Sequence, residues 1–133
     1  MAELFDVEAI TPSGIIFKTK TEFLKLRTVS GDLGVLAKHI PLVAELTYGE
    51  MILKTKGGEE RYYVEGGFLE VGKEKTLILG DDIIESSKID VERARRQKDI
   101  EEAKLLKLRE EEDIARANKK IQENLMKIKI GSK

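Results

Sequence analysis

Two short segments of this chain invite a chemical reading by residue type and spacing: a glycine-lysine step and the surroundings of the one histidine. Gly67-Phe-Leu-Glu-Val-Gly72-Lys73 matches the spacing of a phosphate-binding loop, in which backbone amides cradle the phosphates and a lysine completes the charge. Glu74 then stands where such a loop carries a magnesium-binding hydroxyl, and it adds negative charge beside the anion. The flanks argue against it too: Phe68 to Val71 and Thr76 to Leu79 both read as strands, whereas a working loop feeds a helix whose amide end faces the phosphate. His39 by itself excludes a multi-histidine metal site. A serine activated by it would need a nucleophile elbow, and none is present. Beside Ile40-Pro41-Leu42 the histidine reads more simply as a polar residue pinning a loop. Without cysteine there is no thiolate nucleophile, no thiolate metal site and no disulfide. The carboxylates are numerous but scattered, and abundance alone does not make an acid-base pair. The residues therefore point to a non-catalytic protein with no required cofactor or metal.

The elements that carry these residues divide sharply near residue 81. Ten of the eleven glycines, both prolines and all seven aromatics precede it, while residues 81–130 contain no glycine or proline. That second stretch holds thirteen acidic and thirteen basic residues, the mixture expected of solvated helices laced with ion pairs. No apolar run approaches the ~18 residues a membrane-spanning helix requires, and the acidic start lacks the basic region of a signal peptide. The expectation is a soluble, cytoplasmic chain. A net charge of −1 gives no reason to expect nucleic acid or direct membrane insertion.

Before the break, Phe5, Val7 and Ala9 alternate with Asp6 and Glu8, as Leu24 and Leu26 do with Lys25 and Arg27. This is the period of strands with one wet face. Thr11-Pro-Ser-Gly14 predicts a turn, and Gly57-Gly58 between Met51–Lys56 and Glu59–Val64 predicts a tight hairpin. Further strands are expected at Ile15–Phe17, Gly67–Val71 and Thr76–Leu79, which together make an antiparallel sandwich or barrel. After the break, Asp90 is a natural N-cap for a first helix and a second cap is expected near Asp113. Ile114, Ala117, Ile121, Leu125 and Ile128 line one face of the second helix. Val91, Ala94, Leu105 and Leu108 line the first less tidily, because Ile100 and Ala103 fall away from that face. Two helices of about 17 residues, each roughly 25 Å long, predict an antiparallel hairpin of marginal stability.

Thr28-Val-Ser-Gly-Asp-Leu-Gly-Val-Leu-Ala-Lys-His-Ile-Pro-Leu-Val-Ala-Glu-Leu46 closely resembles the epsilon subunit of bacterial F-type ATP synthase. The likeness runs on through Tyr48-Gly49, Val64-Glu-Gly-Gly-Phe-Leu-Glu-Val71 and Leu77-Ile-Leu-Gly-Asp81, and back to Thr11-Pro-Ser-Gly14. It covers the whole chain in order. The resemblance implies an all-β N-terminal sandwich of about ten strands over residues 1–84 and an α-helical hairpin over residues 85–133. It also implies a rotor subunit of the central stalk, held by the gamma subunit and standing on the c ring at the cytoplasmic face of the cell membrane. Asp32 and His39 correspond to residues near the polar loops of the c ring and the foot of gamma.

The same resemblance gives Ile89, Asp90, Arg93 and Ala94 a second meaning, as the motif with which many bacterial members bind ATP. The forked cation of Arg93 suits phosphate, and Asp90 suits hydrogen bonds from ribose or base. Without the resemblance, Asp90 is an N-cap and Arg93 a solvated arginine; both readings stand at this point. An extended hairpin would bring Lys119, Lys120, Lys127 and Lys129 to acidic parts of the catalytic alpha and beta subunits and restrain ATP hydrolysis. The competing readings are a β-sandwich adaptor with a helical oligomerisation or partner-binding tail, and a small hydrolase using His39.

Overall fold

The computed structural model describes residues 3–132 and divides into two compact units, one ending at Glu85 and the other beginning at Ser86. The first is a ten-stranded β-sandwich: β1 (Phe5–Thr11), β2 (Gly14–Thr21), β3 (Leu24–Thr28), β4 (Gly31–Val35), β5 (Leu42–Leu46), β6 (Gly49–Thr55), β7 (Gly58–Val64), β8 (Gly67–Val71), β9 (Lys75–Gly80) and β10 (Ile83–Glu85). The strand order is β10-β7-β6-β3-β5-β8-β9-β1-β2, with β4 on the other side of β3. All pairings are antiparallel except β1 with β9. The ladder passes from one layer to the other where Thr28 meets Leu46.

Alternation fills the space between the layers. Val7, Ala9, Leu69 and Ile78 from one layer meet Leu24, Leu26, Met51 and Leu53 from the other, all essentially inaccessible to water. The rings of Phe17 and Tyr62 lie 5.1 Å apart between centroids, within the usual range for a favourable aromatic pair. Burial, and then a 3.0 Å hydrogen bond donated to Glu60, hold the Tyr62 phenol well above the ordinary tyrosine range.

The hairpins share one local device. Thr11, Thr28 and Thr55 each donate from Oγ1 to the carbonyl three residues on, at Gly14, Gly31 and Gly58, and each of those glycines has positive φ. The predicted Gly57-Gly58 turn is accordingly displaced by one residue. Thr55 pairs with Gly58, the loop is Lys56-Gly57, and Gly58 takes the positive φ as the first residue of β7. The threonine hydroxyl decides this register. Thr21, fully buried, clips β2 to the opposite layer by donating to Lys54 O at 2.5 Å and Phe23 O at 2.9 Å.

The second unit opens with a 3₁₀ turn at Ser86–Lys88 and contains α1 (Val91–Leu105) and α2 (Glu111–Gly131), an antiparallel pair. Asp90 caps α1 as expected, accepting from Arg93 N–H at 2.9 Å. The second cap is Glu110 rather than Asp113, so α2 has 21 residues instead of about 17 and α1 has 15. The three acidic residues of the first turn, Glu111, Glu112 and Asp113, favour an early start because they oppose the positive end of the helix dipole. Leu108 falls outside α1. Leu125 is 40% exposed, because the seam steps from Ile121 to half-buried Asn124.

Candidate partner-binding surfaces and nucleotide segment

The phosphate-loop reading of residues 67–73 is excluded by geometry. Gly67 to Val71 is strand β8, paired antiparallel with β9, so no helix follows to point amides at an anion. Gly67 has a different purpose. Its φ is +122°, and a Cβ there would stand 1.9 Å from Leu79 O, so β8 and β9 can approach only over a residue with no side chain.

Asp32 lies on β4, one residue beyond the β3–β4 turn, opposite Arg27. Its carboxylate is half exposed, 3.6 Å from Arg27 Nη1 and 3.9 Å from Lys25 Nζ. The glycines around it have structural reasons of their own: Gly31 supplies the turn, and Gly34 leaves space for the Phe23 ring, 3.2 Å from where a Cβ would be. His39 is half-buried in the loop between β4 and β5, its Nδ1 2.7 Å from Ile40 O. It borders a pocket of about 270 Å³ with Phe5, Leu36, Lys38 and Lys73. Asp32 and His39 share no partner. Along the same stretch of chain, Val29, Leu36, Ile40 and Val43 are all strongly exposed, the last two at 78% and 70%. None of the four was singled out from the sequence; Val29, Leu36 and Ile40 lie between strands and Val43 on β5.

A second surface crosses the outer face of the β5-β8-β9-β1-β2 layer. Phe68, Leu79, Ile10 and Ile15 are consecutive cross-strand partners on β8, β9, β1 and β2. Phe68, Leu79 and Ile15 are about half exposed and Ile10 is partly so. Glu45 on β5 ends the row beside Phe68, and the next row holds Val43, Glu70, Leu77, Glu8 and Lys18. An apolar strip with a charged border is what a protein partner covers. The alternation of each strand was legible, but the register that aligns these four side chains was not.

The predicted nucleotide residues share the start of α1. Asp90 is engaged as the cap. Ala94 is buried, and Ile89 and Val91 pack on Gly131 at the end of α2. Arg93 is exposed, and so is Arg96 one turn further on; neither has an ion pair among the described residues. Three residues apart on a helix, the two guanidinium groups share a face. Arg96 was not singled out from the sequence. Among the described residues no cluster of His, Asp or Glu could hold a metal, and no helix is long and apolar enough to cross a membrane.

The described residues thus form a ten-stranded sandwich with an open apolar row on one outer face and a charged helical hairpin. Residues 4–86 match the family model described as the ATP synthase delta/epsilon chain β-sandwich domain. The chain is 48% identical over 126 residues to the sodium ion specific ATP synthase epsilon chain of Propionigenium modestum, covering 95% of this chain and 92% of that one. It is 43% identical over 99 residues to the ATP synthase epsilon chain of Alkalihalophilus pseudofirmus, 74% of each. In fold it is similar to a chain of the Euglena gracilis mitochondrial ATP synthase, with a TM-score of 0.81 at 22% identity, covering 92% of this chain and 78% of that chain. A chain of the Tetrahymena thermophila central stalk and c ring gives 0.71 at 13% identity over 98% of both. The chain belongs to the family of ATP synthase epsilon chains, non-catalytic subunits of the rotary enzyme.

Proposed function

We propose that the sandwich, residues 1–84, joins the central stalk by laying its outer apolar row on the gamma subunit, and that Asp32, near one end of β4, and His39, beyond the other, meet the c-ring loops and the foot of gamma. The enzyme would thereby hold the chain at the cytoplasmic face of the membrane as a peripheral rotor part. The observation that carries this reading is the row Phe68–Leu79–Ile10–Ile15, aligned across four strands and left open to water. Residues 85–133 form the regulatory part. Closed, the hairpin permits rotation; extended, it presents Lys119, Lys120, Lys127 and Lys129 to the catalytic alpha and beta subunits and restrains ATP hydrolysis. ATP bound at Ile89, Asp90, Arg93 and Ala94, with its phosphates toward Arg93 and Arg96, would favour the closed form. Both forms must then lie within a few kcal/mol, since a ligand shifts the balance only by its differential affinity.

The test is binding of purified gamma. Covering the exposed parts of Phe68 and Leu79 is worth about 2 kcal/mol together, so Phe68→Ser with Leu79→Ser should weaken gamma binding about thirtyfold. Both side chains are about half exposed and paired across β8 and β9, so urea unfolding of the free variant measures what the sandwich loses and gamma binding is scored on the folded protein. Undiminished gamma binding would overturn the assignment of this face. A chain ending at Ser87 should still bind gamma while relieving inhibition.

A further inference from the structure

The α1 side of the helical seam is polar at its middle. Positions 91, 94, 98, 101 and 105 of α1 follow the three-four spacing that faces a partner helix, and Lys98 and Glu101 are two of them. Glu101 is 6% exposed, the one charged side chain buried among the described residues. Its Oε1 lies 3.7 Å from Lys104 Nζ on its own helix and 3.9 Å from Lys120 Nζ on α2. These separations exceed hydrogen-bond length, so the carboxylate has given up water for loose partners. Lys98, with 24% of its side chain exposed, turns to Asp99 at 3.3 Å and Glu102 at 3.9 Å on α1 itself. Across the seam, half-buried Asn124 spends its amide on Lys120 O of its own helix at 2.8 Å. Val91 meets Gly131 at one end of the pair, and Ile100 remains 45% exposed beside Lys98 and Glu101.

We propose that Glu101, with Lys120 and Lys98, is a polar plug that keeps the closed hairpin weak at its centre and therefore able to open. The reason is desolvation. Burying a loosely paired carboxylate regains little of the water it loses, and an apolar residue of similar volume usually does as well or better. Removing only its two lysine partners is worse, because an uncompensated charge then stays buried. The plug rests on the reading of the hairpin as a two-state element, and it gives that element an internal cause: two of the five seam positions of α1 are charged.

Amide hydrogen exchange of the intact chain, at one pH and salt concentration, tests this. Glu101→Leu should slow exchange of α1 and α2 amides together by about tenfold or more. Lys104→Met with Lys120→Met, which removes both partners, should speed it about tenfold, and adding Glu101→Leu to that pair should make it as slow as Glu101→Leu alone. Exchange in Glu101→Leu as fast as in the native chain would overturn the plug, as would native exchange in Lys104→Met with Lys120→Met should Glu101→Leu fail to fold. ATP hydrolysis by the reconstituted complex separates the two layers of the argument. Slower exchange with unchanged inhibition keeps the plug and removes the regulatory reading, whereas unchanged exchange removes the plug whatever hydrolysis does.

Discussion

Asp90 is assigned two tasks, capping α1 and contacting nucleotide, and substitutions in the first turn can separate them. The cap is explicit: Asp90 sits in extended backbone, φ −80° and ψ 90°, with Oδ1 2.9 Å from Arg93 N. Asp90→Ala leaves that amide to water and costs about 1 kcal/mol. Because 1.4 kcal/mol is tenfold, fraying of the first turn should rise about fivefold, read as faster amide exchange at residues 93–96. Asp90→Asn retains the capping oxygen, so helix stability should stay near native. Arg93→Ala removes no cap, and its exposed side chain should be worth less than about 0.5 kcal/mol to the fold. If Arg93 grips a phosphate, however, calorimetric titration should show at least about tenfold weaker ATP binding, the loss expected for a charge-assisted hydrogen bond. Native ATP affinity in Arg93→Ala would refute the nucleotide assignment. Native exchange in Asp90→Ala would refute the capping argument.

Gly67→Ala should lower sandwich stability by about 2 kcal/mol or more in urea unfolding, because its positive φ and the 1.9 Å approach to Leu79 O leave no room for a Cβ. Thr21→Val should cost about 1–3 kcal/mol in the same assay by stripping the donor from Lys54 O and Phe23 O in a fully buried corner. Since the Tyr62 phenol is held above its unfolded value of about 10, the unfolded chain releases its proton first. Stability contributed by Tyr62 is therefore intact below pH 10 and declines as pH rises above it, by up to about 1.4 kcal/mol per unit. Tyr62→Phe should remove that part of the alkaline slope in denaturation measured from pH 9 to 12.

The sequence by itself determined the two units and the kind of element in each. Glycine and proline at the turns, alternation in the strands, and a charged tract free of both each act within a few residues, so they were legible without coordinates. The Asp90 cap was found for the same reason, whereas Asp32 came from the resemblance of Thr28–Leu46 to a known family, and the Thr55 hydroxyl that shifts the Gly57-Gly58 turn was missed. Only the tertiary structure decided the register of β8, β9, β1 and β2, and hence that Phe68, Leu79, Ile10 and Ile15 form one open row. It also decided that Glu101, outwardly one charge among many, is buried in the hairpin seam. Period and propensity report which way a side chain points on its own element. What it meets there depends on residues distant in sequence, and here those contacts define the open row proposed to meet gamma and the buried charge proposed to weaken the hairpin.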